Sequence, residues 1–315
     1  LAGTSPRFDI DISRPSSGMR LAFVTYRALP QLSDDDRLAV TELRQHGVSV
    51  ESAVWDSPLV DWSRYDALVV RSTWDYHERA DAFEAWLAHI ERLGVPVWNP
   101  ASLLRWNMDK RYLLDLAERG VSTVPTVSIE RGDSATLADV EADTGWDDVV
   151  FKPSISASGF RTARTRASEL AAHEADFAAL IAERDMLVQP FIPAIVDDGE
   201  WSFMYFNGQF SHAVKKRSRV GEFRVQSNHG GSVMAEAPRA VLIAQADDIV
   251  SHLPGPWLYA RVDACEVDGT LMLMELEMVE PDLFLAFHPS AARRFAASIR
   301  QLVAGRRTPL SFTPR

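Results

Sequence analysis

Cysteine is nearly absent from this chain. The 315 residues include one, Cys265, which excludes an internal disulfide framework and any cysteine-rich metal site. Its neighbours are apolar, so the thiol reads as a small core residue rather than a nucleophile. A basic surplus is missing too: 33 Lys and Arg stand against 44 Asp and Glu, a formal net charge of -11. That balance argues against a nucleic-acid partner, whose footprint is a basic stripe, although a negative body can still hold a local basic pocket for phosphates. No apolar run approaches the length of a membrane span, and no secretory signal pattern opens the chain. There is no internal repeat and no long low-complexity tract. The expectation is a soluble, cytoplasmic protein without membrane or nucleic-acid partners, long enough for two or three domains around sizeable cores.

Residues 1–18 are polar and broken by Pro6, Pro15 and Gly18, which predicts a disordered or appended extension without function ahead of Met19. From Leu21 strand and helix signals alternate. Strands are expected at 21–26, 48–54, 67–70 and 95–98, and helices at 34–46 and 80–93 with Gly47 and Gly94 as their stops. Such alternation implies a parallel sheet with helices on both faces, and ligands of open parallel sheets sit beyond the carboxyl ends of the strands. Arg71 emerges there and is a candidate anchor for a substrate carboxylate. An ion pair between Arg71 and Asp75 that merely fixes the loop is an equal alternative.

In WNMDKRYLLDLAERG, residues 106–120, Asn107 or Asp109 is positioned to cap a helix running to about Arg119, with Gly120 as its stop. Lys110 then falls in the first turn, where a cation opposes the helix dipole unless it has an anionic partner. A strand at 149–152 is followed by a small-residue loop, PSISASGFRT, of the kind whose backbone N–H groups cradle phosphate. It is neither a Walker A nor a dinucleotide fingerprint. Lys152, at the end of the buried strand, strengthens the phosphate reading.

Residues 259–281, YARVDACEVDGTLMLMELEMVEP, say most about chemistry. One apolar strand contains Asp263, a turn falls at Asp268-Gly269, and a second apolar strand runs into Glu275, Glu277 and Glu280. Carboxylates on buried strands are costly unless positive charge compensates them, and a hard divalent cation is the natural candidate. Glu275 and Glu277, two apart, share one face. A plain two-residue Asp-Gly loop would set Asp263 opposite Met274, on the wrong face. An odd loop or one bulge is therefore predicted, which places Asp263 with Glu275 and brings Arg261 near Glu277. Three carboxylates from adjacent strands supply the oxygens that Mg²⁺ prefers and leave positions for phosphate oxygens and water. The interleaved Leu271, Leu273 and Leu276 argue against a merely solvated strand end.

Lys110, FKPSISASGF with Lys152, the strand MLVQPFIP, the GEWSF segment and RVD followed by ELE, in that order and spacing, resemble an ATP-grasp ligase of the group similar to prokaryotic glutathione synthetase. RSTWDY, VQPFI and ELEMVEPDLF are similar to small bacterial members that include a cycloserine-forming cyclo-ligase. The resemblance runs from about Met19 to Arg300. It implies an α/β chain with the ATP-grasp fold: an N-terminal parallel-sheet domain over 19–105, a small central α+β subdomain over 106–188, and a C-terminal α+β subdomain with the metal site over 189–315, the last two clamping ATP.

By that resemblance Lys110 and Lys152 touch the nucleotide phosphates, and the loop carrying Ser154, Ser156, Ser158 and Gly159 closes over them. Gln189 reads the adenine amino group, Phe191 bonds the ring edge through its backbone, and Ile192 lines the same pocket. Asp263, Glu275 and Glu277 hold Mg²⁺, as one ion or two, with Mn²⁺ able to substitute. The third position is most often Asn in the wider superfamily, so Glu277 adds charge. Residues 201–206 and 209–214 read as a hairpin turning at Asn207-Gly208, followed by Lys215, Lys216, Arg217, Arg219 and Arg224, a basic field suited to phosphoryl groups. The resemblance favours Lys215 and Arg224 for the transferred phosphoryl group and the substrate carboxyl, with Arg261 beside the metal carboxylates. Asn228, Gly230, Gly231 and Glu280 are expected on the acceptor side, where Asp282 stands in place of the Ser common in related sequences and suits an amine or ureido-like group. His229 reads as structural, and Trp86, Trp98 and Trp146 as packing. A terminal amphipathic helix is expected at 289–304.

The chemistry implied is attack of a carboxylate on the γ-phosphoryl group of ATP, then displacement of phosphate from the acyl phosphate by an amine-type nucleophile, with positioning and electrostatics as the protein's part. The substrate class is an amino acid or amino-acid derivative. Two-substrate ligation and intramolecular closure of an O-ureidoserine-like compound to cycloserine both remain open, and homodimers are common in the resembling group. A catalytically silent nucleotide-binding protein is disfavoured, because both lysines and all three carboxylates are present.

Overall fold

The structure, a computed structural model, describes residues 18–225 and 229–304. Strand β1 (Arg20–Thr25), helix α1 (Asp34–Gln45), β2 (Ser49–Val54), β3 (Ala67–Ser72), α2 (Ala80–Leu93) and β4 (Val97–Trp98) build the first layer. Its sheet is parallel in the order β2-β1-β3-β4, as the alternation implies. Ser33 caps α1 by accepting from the Asp36 amide, and Gly94 ends α2 in the left-handed region that a residue with a Cβ resists. The odd residues Leu21, Phe23, Ala67 and Val69 face one core and the even residues Ala22, Val24, Leu68 and Val70 the other, so both faces are covered.

The predicted single helix over 107–119 is two: α3 (Ala101–Met108) and α4 (Tyr112–Glu118). Asn107 is no cap. It is buried at the end of α3, donating to the Leu276 carbonyl at 2.8 Å and accepting from the Met278 amide at 2.7 Å. The carboxylate of Asp109 accepts from the Arg111 amide, and Lys110 sits in the break between the helices rather than in a first turn.

The second layer comprises β5 (Val127–Ile129), α5 (Leu137–Thr144), β6 (Asp148–Pro153), β7 (Ala163–Arg166), α6 (Leu170–Glu183) and β8 (Met186–Pro190). Its antiparallel sheet runs β5-β8-β6-β7 over a core of α5 and α6 that includes Phe151, Phe177 and Ile181. After the short α7 (Ala194–Asp197) come β9 (Glu200–Phe206), β10 (Gln209–Arg217), β11 (Ser232–Ala235), α8 (Ala240–Ser251), β12 (Tyr259–Val267), β13 (Thr270–Glu277) and α9 (Ala291–Ala304). These strands form a five-stranded antiparallel sheet, β11-β10-β9-β12-β13.

The expected β9–β10 hairpin turns at Asn207 and Gly208, both at positive φ as a two-residue turn of this twist requires. Helix α9 lies against α1, and Phe295 and Ile299 share a core with Phe23, Leu43 and Tyr259. Each such side chain taken out of water stabilises by roughly 1.5–3 kcal/mol. That shared core locks the parallel layer to the C-terminal sheet. No helix among the described residues is long and apolar enough to cross a membrane.

Candidate active site

A cleft of about 390 Å³ lies between the strands of the central sheet and those of the C-terminal sheet. Lys152 and Gln189 come from the first wall, Lys216, Arg261, Glu275 and Glu277 from the second. The acidic floor is built by β12 and β13. Their loop keeps two residues, Asp268 and Gly269, both at positive φ, so it is not odd. The expected bulge is there instead. Ala264 pairs with Leu273, Met274 is passed over, and Asp263 then stands opposite Glu275 and Arg261 opposite Glu277.

The three floor carboxylates of β12 and β13 are each matched by a cation. Asp263 accepts from Ser202 Oγ at 2.6 Å, Lys216 Nζ at 2.9 Å and Arg261 Nε at 3.0 Å. Burial alone would raise its carboxyl, but Arg261 and Lys216 outweigh it and hold the group down to about 2. Lys110 Nζ lies 3.0 Å from Glu275. Against the cost of burial, that pairing holds Glu275 below and Lys110 above their ordinary values. Glu277 accepts from Arg261, yet burial and the neighbouring carboxylates push it up to about 7. Glu280 makes no ion pair among the described residues, and burial followed by Glu277 pushes it up to about 8. Across the cleft Lys152 makes no ion pair among the described residues, and burial pushes its ammonium down.

Lys215 is not at this site. A second bulge, at Ser211, shifts the β9–β10 register between Phe210 and His212, so Lys216 rather than Lys215 comes opposite Glu200. Lys216 joins Glu200 at 2.5 Å and Asp263 on the cleft face. Lys215 turns to the other face, onto the Trp201 ring and Asp198. Period-two alternation from the Asn207-Gly208 turn would have aligned Lys215 with Glu200, and nothing in the local sequence announces the bulge.

Arg71, the expected carboxylate anchor, does not line the cleft. It is 2 % exposed, donates to Asp36 Oδ1 at 2.7 Å and to the Pro281 carbonyl at 2.8 Å, and lies over the Tyr259 ring. Nor does it pair with Asp75, which takes Trp55 and Arg79. The Phe191 N–H is occupied by the Asp148 carbonyl at 2.8 Å, which leaves its carbonyl, and Gln189 donates to Thr126 Oγ1 at 2.9 Å, which leaves its Oε1 as the atom to accept. Gln189, Phe191 and Ile192 all line the cleft, as do Ser156, Ser158 and Gly159. Ser154 lies behind, its carbonyl taken by the Lys110 amide. Arg224 lines the cleft with its guanidinium on Glu222 at 2.8 Å. Gly230 and Gly231 do not line it, and Asn228 lies outside the described residues. Trp74, just beyond the carboxyl end of β3, lines it as well.

The donor set fits a hard divalent cation. Among the described residues no three ligating side chains already stand converged, because lysine and arginine groups occupy the carboxylates. Glu275 and Glu277, with side chains 25 % and 23 % exposed to the cleft, are the oxygens such an ion reaches first, while Asp263 at 3 % stands behind them. The crowded negative charge at Glu277 and Glu280 is what a divalent ion relieves.

Comparison with known proteins places the chain among relatives. Residues 21–99 match the family model described as the N-terminal domain of the D-cycloserine synthetase DcsG. The chain is 31 % identical over 296 residues to the cycloserine biosynthesis protein DcsG of Streptomyces lavendulae, covering 89 % of this chain and 98 % of that one. It is 26 % identical over 215 residues to a glutathione synthetase of Ralstonia nicotianae, covering 65 % and 60 %. A crystal structure of D-cycloserine synthetase DcsG superposes with a TM-score of 0.82 at 29 % identity, over 90 % of this chain and 99 % of that one. For fold alone, a D-alanine–D-alanine ligase of Bacillus anthracis superposes at 0.64 with 14 % identity, over 91 % and 96 %. With nearly the full length of the Streptomyces protein matched and the cleft built as above, this chain belongs to the DcsG family of ATP-grasp ligases.

Proposed function

We propose that the cleft binds ATP with Mg²⁺, transfers the γ-phosphoryl group to the carboxylate of an amino-acid derivative, and joins the activated carbon to an amine-type nitrogen. The observation that carries this reading is the Met274 bulge, which sets Asp263, Glu275, Glu277 and Arg261 on one face across from Lys152. Lys152, part-buried in the cleft wall and without a carboxylate partner among the described residues, is ready for an anionic phosphate. Lys110, in the break between α3 and α4, takes a second phosphate oxygen, and the loop through Ser156, Ser158 and Gly159 covers them. Mg²⁺, when bound, supplies charge neutralisation on the transferring group, and Glu275 and Glu277 would hold it with Asp263 behind them.

A carboxylate oxygen attacks phosphorus, the bond to the bridging oxygen breaks, and ADP leaves. Lys216, Arg261 and Arg224 offset the charge of the acyl phosphate and orient it. The nitrogen then attacks the acyl carbon, and the tetrahedral adduct collapses with loss of phosphate and a proton. Glu280 and Asp282, at the acceptor end, take a cationic or ureido-like nitrogen group of the substrate.

We further infer that carboxylate and nitrogen belong to one molecule, as in closure of an O-ureidoserine-like compound to cycloserine, because similarity to the cycloserine synthetase extends through the substrate-side N-terminal layer as well as the nucleotide clamp. The test is ADP release with Mg-ATP against amino acids and their derivatives, singly and in pairs. Turnover with a single ureido or aminooxy derivative and a cyclic product is expected. Turnover only with pairs would replace cyclisation by two-substrate ligation.

A further inference from the structure

Beyond β13 the chain runs as a strap, residues 278–286, along the acceptor end of the cleft without joining any sheet. Its buried carbonyls must find donors elsewhere, and side chains supply them one after another. Asn99 Nδ2 takes Met278 at 2.7 Å, Tyr259 Oη, shared with the Val70 carbonyl at 2.5 Å, reaches Val279 at 2.9 Å, and Trp74 Nε1 takes Glu280 at 3.0 Å. Arg71 then takes Pro281 at 2.8 Å, Arg261 takes Asp282 at 3.0 Å, and His212 Nε2 takes both Leu283 and Phe284, at 3.1 and 3.0 Å.

Because both partners are carbonyls, Nε2 carries the hydrogen, and Nδ1 accepts from Ser211 Oγ at 2.9 Å. His212 is 4 % exposed, and burial keeps its imidazole neutral, down to about 4. Side chains of the strap alternate: Glu280, Asp282 and Phe284 line the cleft, while Leu283 is fully buried in the core shared with α1 and α9. Phe284 holds the left-handed conformation, φ 49°, so the turn it makes requires support from its surroundings.

We propose that His212 and Arg71 are positioning residues: by holding the carbonyls of Pro281, Leu283 and Phe284 they set where Glu280, Asp282 and Phe284 stand, and so govern binding of the nitrogen-bearing end of the amino-acid substrate. The inference rests on the ligase reading above. Neither residue lines the cleft, and neither touches the nucleotide end. A displaced strap therefore weakens substrate binding and leaves ATP binding alone.

The test uses His212→Leu, which removes the donor, and His212→Gln, whose amide nitrogen stands where Nε2 does. KM for the amino-acid substrate, KM for ATP and kcat are measured with hydrogen exchange of the 282–287 amides. In His212→Leu the substrate KM is expected to rise about tenfold or more, the ATP KM to stay within about twofold, and strap exchange to quicken. His212→Gln should restore all three. A substrate KM unmoved in His212→Leu, a parallel rise of both KM values, or unchanged exchange overturns the proposal. If His212→Leu does not fold, Arg71→Lys carries the same comparison with the same outcomes. If the wild-type protein releases no ADP with any derivative, the ligase reading fails, while exchange that quickens in His212→Leu and recovers in His212→Gln still establishes the tether, and exchange that does not overturns it.

Discussion

Lys216 Nζ lies 2.9 Å from a carboxylate oxygen of Asp263, whereas its neighbour Lys215 reaches Asp198 on the opposite face of the same strand. Two adjacent lysines therefore divide into one at the reacting end of the cleft and one outside it. Lys216→Met should lower kcat for ADP release by about 100-fold, the order seen when a buried group that stabilises transition-state charge is removed. Lys215→Met should change it by less than about threefold. Because Lys216→Met strips Asp263 and Glu200 of a cation, thermal unfolding of both variants is measured alongside, with Lys216→Arg as the variant that keeps the charge.

Glu275→Gln is nearly isosteric and should abolish Mg²⁺-dependent ADP formation while circular dichroism stays native. Full activity in that variant would remove Glu275 from the metal set. Chelation of the wild-type protein should have the same effect, reversed by added Mg²⁺.

Lys152 makes no ion pair among the described residues, so Lys152→Met should leave the unfolding temperature unchanged or slightly higher while ATP binding weakens. The loss of one charged contact to phosphate, about 1.5–3 kcal/mol, corresponds to roughly ten- to a hundredfold in Kd. Calorimetric titration with ATP reads it directly, and an unchanged Kd would count against the phosphate role.

Asn107 joins the break before Lys110 to the end of β13 through two buried hydrogen bonds. Asn107→Ala leaves the Leu276 carbonyl and Met278 amide without partners and should cost about 2–4 kcal/mol. Denaturant unfolding should report that loss, with a displaced Lys110 lowering ATP affinity as a second effect.

Asp35 has one carboxylate oxygen on the Ala286 amide at 3.0 Å and the other buried without a partner. Burial and then Asp282 push its carboxyl up to about 7. A carboxyl raised in the folded state keeps its proton there while the unfolded chain has lost it, so its contribution is fully present below about pH 4 and is lost as pH rises through about 7. Asp35→Asn should remove that decline and gain on the order of 1–3 kcal/mol at pH 8. Glu277 and Glu280 titrate in the same window in both proteins, so the difference between the two stability curves belongs to Asp35.

Much of the site was legible in the chain because it rests on local rules. Alternation read the parallel layer. Asp-Gly and Asn-Gly each marked a two-residue turn, and acids two apart on an apolar strand demanded a bulge that would gather them. The Met274 bulge could be inferred because a chemical requirement, four charged side chains on one face, was visible in sequence. The Ser211 bulge carried no such requirement, since either lysine could have met Glu200, and tertiary packing chose Lys216. Arg71 shows the same limit. At a strand's carboxyl end it looks like a ligand anchor, but Asp36, 35 residues earlier, and Pro281, 210 residues later, both reach it in space. Periodicity thus determined the parallel layer and the acidic floor, while the resemblance to ATP-grasp ligases supplied the clamp layers and the two lysines proposed for phosphate. Which cation faces the floor and what holds the strap were decided only when distant segments met, because a buried hydrogen bond depends on proximity in space and leaves no spacing in the chain to read.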